Sequence, residues 1–389
     1  MNMRLAILRN AFISVGALLG MLSFAANPPN EMTRSVADSL GDSSLVRKHP
    51  SSLSGFAAAA AASMPLAPTS TAKWAIENSP NGVGTNELFG VTCTSASDCW
   101  AVGLYLGGLP LTEHWDGTSW SVVPAAYNSA ISPFNGVTCA SASDCWAVGY
   151  EEVTPNSNAQ STLIEHWDGT SWSIVTSLNS GTLVNILNGV TCASALDCWA
   201  VGGYSSSSGV PTQTLIEQWN GTSWAIANSP NAGDNDELLG VTCTSASNCW
   251  AVGDSSSGTQ TLIEQWDGTS WSIITSPSPG AAGNVLNSVT CASASDCWAV
   301  GDQSSCGGCA QTLIEQWDGT SWSIVPSPNT GVADLLYGVT CASASDCWAV
   351  GVYTSGASLL PLTLIEQWNG TSWSIVSSPN YPPLGTTFS

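Results

Sequence analysis

The sequence predicts an all-β fold, a six-bladed β-propeller of four-stranded antiparallel blades with an intra-blade disulfide per repeat. Three observations predict it. One unit of about 50 residues recurs six times: the segment Gly-Val-Thr-Cys, or Ser-Val-Thr-Cys in the fifth copy, ends at Cys93, Cys139, Cys192, Cys243, Cys291 and Cys341, in steps of 46, 53, 51, 48 and 50 residues. That length suits one propeller blade and exceeds a leucine-rich solenoid turn of roughly 20–30 residues. Each unit also holds four short runs rich in Val, Ile, Thr and Trp, and helical periodicity is absent. Finally, every unit carries a Cys-x5-Cys pair.

In the third unit, strand a is Gly189-Val-Thr-Cys192 and strand b is Cys198-Trp199-Ala-Val-Gly202. Strand c is Thr214-Leu-Ile-Glu217-Gln-Trp219, and strand d begins at Trp224. Asn-Gly or Asp-Gly between c and d is a strong tight-turn signal. A ring gives six copies the same two neighbours; a linear β-solenoid is the other architecture such a repeat can build. Strand d occurs once more, since Trp74-Ala-Ile-Glu-Asn-Ser-Pro-Asn copies Trp224-Ala-Ile-Ala-Asn-Ser-Pro-Asn. Either the Trp74 or the Trp373 strand is expected to complete the sixth blade.

Residues 1–26 read as an export signal: Arg4 and Arg9, an apolar stretch from Ala11 to Phe24, then small residues at Ala25-Ala26. The apolar stretch is short for a membrane span, with an uncleaved anchor as the alternative. Residues 27–73, rich in Ser, Ala and Pro, read as a low-complexity linker, or a short helix over Ala57 to Ala62. Residues 74–389 form the propeller. The chain is expected to be secreted, extracellular or at the cell surface, and to act as a monomer.

All six Lys and Arg precede Trp74, and only three of the 28 acids do, which leaves 25 acids and no cation beyond it. Such a body has nothing to replace the counterions of phosphate, so nucleic acid and anionic membranes are excluded as partners.

An antiparallel hairpin with a five-residue loop places its cysteines within disulfide reach, and an exported protein meets the oxidising conditions that preserve the bond. The expected links are Cys93–Cys99, Cys139–Cys145, Cys192–Cys198, Cys243–Cys249, Cys291–Cys297 and Cys341–Cys347, each contributing about 2 kcal/mol in a loop-entropy model. Zinc, the rival, needs four Cys or His ligands, and the chain has three His. Cys306-Gly-Gly-Cys309 is read as a local staple, because no helix start or cation is at hand to acidify a thiol. The 19 tryptophans, three per unit plus Trp74, are expected to fill the space between blades. The strand c glutamates, Glu113, Glu165, Glu217, Glu264, Glu315 and Glu366, are expected to be structural acceptors, since one active site needs different residues in different roles.

Ala200-Val-Gly-Gly203 followed by Glu217-Gln-Trp219-Asn-Gly-Thr-Ser-Trp224 resembles a kelch repeat, although only the third unit has both glycines. The Asp-Gly-Thr-Ser-Trp turn resembles an Asp-box, with the Asp-to-Gly spacing one residue short. Residues 74–389 as a whole resemble secreted bacterial repeat proteins with a propeller of this kind. The resemblance implies the fold and is silent on function. Sialidase-type enzymes use an arginine cluster, which these residues lack. Copper oxidases of kelch type use two histidines and two tyrosines. Here His114 and His166 stand in equivalent positions where other units have Gln, and are read as substitutions for it.

In a propeller the a–b and c–d loops share one face, and the b–c and d–a loops share the other. The first set is nearly identical between units, whereas the second varies, and a unique site needs differences between copies. The variable loops bring Tyr105, Tyr150, Tyr204, Tyr337 and Tyr353 among Ser, Gly and Asn, a composition suited to adaptable recognition. They also bring Glu151, Glu152, Asp234, Asp236, Glu237, Asp254 and Asp302 as binding candidates. Asp334 lies there too. The expected function is non-catalytic binding or adhesion to an extracellular glycan or protein. The alternatives are a polysaccharide hydrolase or lyase using two loop carboxylates, or a structural cell-surface protein. No catalytic residue, metal ligand or cofactor is assigned; calcium is the one ion that acidic loops would suit.

Overall fold

The structure, a computed structural model, describes residues 45–48, 75–80, 85–129, 131–153, 159–207, 212–306, 309–354 and 361–380. The export signal and most of the linker lie outside them, as does the side chain of Cys306. Among the described residues there are 26 strands and no helix, hence none long and apolar enough to cross a membrane.

Two short strands come first, β1 (Leu45–Lys48) and β2 (Ala75–Asn78), paired antiparallel. The first repeat is β3 (Asn86–Ser95), β4 (Asp98–Tyr105), β5 (Leu109–Trp115) and β6 (Trp120–Val122). The second is β7 (Phe134–Ser141), β8 (Asp144–Glu152), β9 (Gln160–Trp167) and β10 (Trp172–Ile174). The third is β11 (Val184–Ser194), β12 (Asp197–Ser205), β13 (Gln213–Trp219) and β14 (Trp224–Ala227). The fourth is β15 (Glu237–Ser245), β16 (Asn248–Ser255), β17 (Gln260–Trp266) and β18 (Trp271–Ile273). The fifth is β19 (Gly283–Ser293), β20 (Asp296–Cys306), β21 (Cys309–Trp317) and β22 (Trp322–Ile324). The sixth is β23 (Ala333–Ser343), β24 (Asp346–Thr354), β25 (Leu362–Trp368) and β26 (Trp373–Ile375).

Within each repeat the strands pair antiparallel in chain order, so the repeat is the structural unit. The first four repeats are separate four-stranded sheets, whereas the fifth and sixth run together as one eight-stranded sheet. Their link is a single parallel bridge between Ala310 and Ala333. It arises because Cys306 and Cys309 stand opposite each other and extend that hairpin, so β21 begins early and reaches the next repeat. The sixth repeat is completed by its own β26, while the strand after Trp74 pairs with β1 instead. β1 falls within the stretch read as linker.

The hairpin disulfides join Cys93–Cys99, Cys139–Cys145, Cys192–Cys198, Cys243–Cys249, Cys291–Cys297 and Cys341–Cys347. Cys309 is also disulfide-bonded, and no described cysteine is free. This density of disulfides fits an oxidising environment.

Strand a is longer than its repeated motif, because a β-bulge carries the chain on into the variable stretch. In the third repeat the register shifts between Leu187 and Gly189, leaving Asn188 unpaired with strand b. The bulge presses the carbonyl of Ile186 against Gly202, where a Cβ would lie 2.0 Å from the oxygen. Only glycine fits there, which explains the Gly of every Ala-Val-Gly.

The core lies between sheets. At the junction of the second and third repeats, Trp146, Val148 and Ile164 pack against Leu187, Ala200, Leu215 and Trp224 of the next repeat. Five of the six strand b tryptophans meet two from the following repeat. Trp199 lies 4.7 Å from Trp266 and 5.2 Å, edge to face, from Trp271. The same triplet recurs around Trp100, Trp146, Trp250 and Trp298. The indole N–H groups of Trp100, Trp146, Trp199, Trp250 and Trp298 are buried without an oxygen acceptor. The edge-to-face contacts set aromatic surface against indole edges there.

Candidate binding surface around the central cavity

The strand a segments of all six repeats line one cavity of about 300 Å³. The residues just before the repeated glycine face it: Phe89, Asn135, Asn188, Leu239, Asn287 and Tyr337. These are the bulge positions, and they are the part of the inner wall that differs most between copies. The three asparagines bridge to the next repeat. Asn135 donates to Leu187 O at 2.9 Å, Asn188 to Leu238 O at 2.9 Å, and Asn287 to Leu336 O at 2.8 Å. Asn188 also donates to Glu237 Oε1 at 2.9 Å. Phe89 and Leu239 cannot donate in this way, and together with the Tyr337 ring they leave apolar or aromatic surface in the wall. Sequence reasoning missed five of these six positions. Their signal was legible: the residue before Gly-Val-Thr-Cys changes while the motif does not.

The variable loops do not present all their candidate residues alike. Tyr337 lines the cavity, and burial, then the Asp302 charge, raises its hydroxyl above the ordinary tyrosine value. Tyr105, Tyr150, Tyr204 and Tyr353 are half-buried at the ends of strand b. Tyr204 donates to Gln213 across its hairpin. Burial, then the Glu152 charge, raises Tyr150, and burial alone raises Glu151. Glu151, Glu152, Glu237 and Asp302 are half-buried, and Asp234 is exposed.

Asp236 and Asp254 are buried instead. Asp236 Oδ2 accepts from the amides of Ala232 and Gly233, bracing its own loop. Asp334 accepts from Thr330 and Gly331 in the same manner, and Asn185 and Asn284 do so from Gly181 and Gly280. All four stand four residues before the bulge-following Gly or Ser. Among the described residues no group of three His, Cys, Asp or Glu is placed to hold a metal ion.

The opposite face is built from repeated turns. Asp116 Oδ1 accepts from Thr118 N, Thr118 Oγ1 and Ser119 N at 2.6–2.9 Å, and five further Asp or Asn residues repeat the pattern. These bonds, from the threonine hydroxyls first, hold Asp116 and Asp168 down at about 2. Gly117, at φ 95°, lies over Ser97 of the a–b turn, so both turn types share this face.

The six strand c glutamates are fully buried between repeats. A serine after strand d of the preceding repeat donates to each in most copies: Ser177 to Glu217 at 2.9 Å, Ser229 to Glu264 at 3.0 Å, Ser276 to Glu315 at 2.8 Å and Ser327 to Glu366 at 2.6 Å. Ala125 stands at that place before Glu165, which takes the amide of Ala126. Burial raises Glu113, Glu165, Glu217 and Glu366 to about 7, and Glu264 and Glu315 to about 8. They are acceptors in the scaffold, away from the cavity.

No family model and no curated protein matches this chain. It is similar to several solved structures. The fucose-specific lectin from Aleuria aurantia shares 13% identity over 76% of this chain and 96% of that one, with a TM-score of 0.48. YCF48 from Cyanidioschyzon merolae shares 14% over 74% and 84%, with a TM-score of 0.45. A structure of YCF48 bound to D1 peptide shares 13% over 74% and 81%, also at 0.45.

Proposed function

We propose that the chain is a secreted, non-catalytic binding propeller with six complete blades, recognising an extracellular glycan or protein through its variable-loop face. An export signal at 1–26 and a spacer after it would deliver and hold the body built from residue 74 onward. One observation carries the reading. The six repeats share their hairpin turns, buried tryptophans and buried glutamates, and differ where strand a enters the central cavity, from Phe89 to Tyr337. A surface that varies on a repeated frame is where a single asymmetric ligand can be recognised. The absence of Lys and Arg after Lys73 directs the choice toward neutral or cationic ligands.

A glycan array and a panel of cell-wall extracts, each run beside a reducing-sugar assay, test this. Binding without turnover is expected. Tyr337→Ala, or Tyr150→Ala with Tyr353→Ala, should weaken it at least tenfold with the fold intact. Turnover of a bound sugar would replace the reading with an enzyme. Loss of binding on changing Thr118 and Thr170 at unchanged Tm would move the site to the repetitive face.

A further inference from the structure

One position at the start of strand a alternates between asparagine and aspartate in four successive repeats: Asn185, Asp236, Asn284 and Asp334. All four are at most 2% exposed. In the asparagine copies both ends of the amide are used. Asn185 Oδ1 accepts from Gly181 N at 2.7 Å, while Nδ2 donates to Gly181 O at 2.9 Å and to Gln160 O of the preceding repeat at 3.2 Å. Asn284 repeats this with Gly280 and Thr259, all at 2.7 Å. The nitrogen thus ties the loop before strand a to the start of strand c in the repeat before.

The aspartate copies keep the first half of this arrangement and lose the second. Asp236 Oδ2 takes the amides of Ala232 and Gly233, and Asp334 Oδ2 those of Thr330 and Gly331. The other oxygen, Oδ1, stands where asparagine has its nitrogen, and in both residues it is buried with no hydrogen-bond partner. An ionised carboxylate only accepts, and so do the carbonyls that the asparagine nitrogen would have met. By alignment these are Ala232 O and Thr212 O for Asp236, and Thr330 O and Ala310 O for Asp334. Thr212 O is near enough to take the amide of Asp236 at 3.4 Å, and Ala310 is bridged to Ala333. Oxygens therefore converge with no hydrogen between them, and a buried oxygen left so is costly. A second buried carboxyl stands near each site. The Asp236 charge reaches Glu264 and the Asp334 charge reaches Glu366, whereas no such charge acts on Glu217 and Glu315 in the asparagine repeats.

We propose that Asp236 and Asp334 each hold a hard cation, calcium, with Oδ1 and the two carbonyl oxygens as protein ligands. Calcium takes carboxylate and backbone carbonyl oxygens together and completes its shell with water. Ala232, Gly233 and Thr330 are exposed, so ion and water can enter from the variable-loop face. Each site uses one aspartate and backbone oxygens, so neither needs a cluster of three acidic side chains. The ion does for the third–fourth and fifth–sixth junctions what the asparagine nitrogen does for the second–third and fourth–fifth. It ties the loop to the preceding repeat, whichever ligand the variable-loop face takes.

Calcium counting and thermal melting of the full-length protein test this. Asp236→Asn and Asp334→Asn restore the donor present at Asn185 and Asn284, so both variants and their combination should fold. After stripping with EGTA and dialysis against millimolar calcium chloride in potassium chloride at neutral pH, the parent should retain two more ions per chain than the double variant. Each single variant should retain one more than the double. Calcium should raise the parent's Tm over its value in EGTA by about 4 °C or more, and the double variant's by less than about 1 °C. In EGTA the double variant should melt above the parent. Equal calcium content in parent and double variant, or the same calcium shift in both, overturns the proposal. So does a parent whose Tm ignores calcium, in which case a proton or water meets the carbonyls instead.

Discussion

His114 and His166 show how a residue's chemistry is set by its repeat position. His114 Nε2 meets Asp98 Oδ1 at 2.7 Å and His166 Nε2 meets Asp144 Oδ1 at 2.8 Å. In other repeats Gln218 donates to Asp197 at 3.0 Å and Gln316 to Asp296 at 3.0 Å. The imidazoles also pack on Trp100 and Trp146, with centroids 4.6 and 4.4 Å apart. They make the glutamine's bond in the glutamine's place. His114→Gln and His166→Gln are therefore expected to shift Tm by less than about 2 °C and to leave ligand binding unchanged; lost binding would show a chemical role that the hydrogen bond does not account for. This equivalence was legible in the sequence, because four aligned copies carry Gln at that place. The inward turn of Asp236 and Asp334 was legible only in part. Their loops are acidic and variable, which suggests surface, and only alignment with Asn185 and Asn284 identifies a shared loop brace.

At the scale of strands and sheets, the Asp-Gly turns, the Cys-x5-Cys hairpins and the β-rich runs placed all four strands of each repeat. The sequence could not give the upstream reach of strand a, because the residues beyond the bulge are the variable ones. Nor could it foresee the single bridge that fuses the last two sheets, which depends on how far one hairpin extends. The tryptophans of one repeat also differ in burial. Trp224 is 3% exposed, whereas Trp219 is half-buried and covers the rim of the same cluster. Removing a fully buried indole leaves a cavity that neighbouring sheets cannot fill, at a cost of ~3–5 kcal/mol. Trp224→Ala should approach that cost and Trp219→Ala should lose less than half of it, as read from urea midpoints at unchanged m-value. Equal losses would mean that the rim position is as tightly enclosed as the core one.

For the whole molecule, the buried glutamates and the net charge of −22 act in the same direction as pH changes. Each glutamate has a folded value near 7 or 8 against an ordinary value of 4.5. A raised value means that the folded state holds the proton more tightly than the unfolded chain does. The resulting stabilisation is complete below about 4.5 and is lost as pH rises through 7 to 8. The turn aspartates Asp116 and Asp168, held near 2, act oppositely, stabilising above their ordinary value of 3.8 and failing as pH falls toward 2. Stability should therefore peak near pH 4–5, and Tm should fall by 10 °C or more between pH 5 and pH 8. Repulsion among surface carboxylates would produce a similar slope, but salt separates the two causes. At 0.5 M NaCl the screening length is about 4 Å, so surface repulsion is largely removed while buried groups are little affected. A slope that persists in high salt belongs to the glutamates, and Glu264→Gln should reduce it. That variant keeps an oxygen for Ser229 and cannot ionise, so its Tm should match the parent at pH 5 and exceed it at pH 8. A Tm flat from pH 5 to 8 in 0.5 M NaCl would mean that the glutamates ionise without disturbing the junctions, and the seal between sheets would then rest on the tryptophans alone.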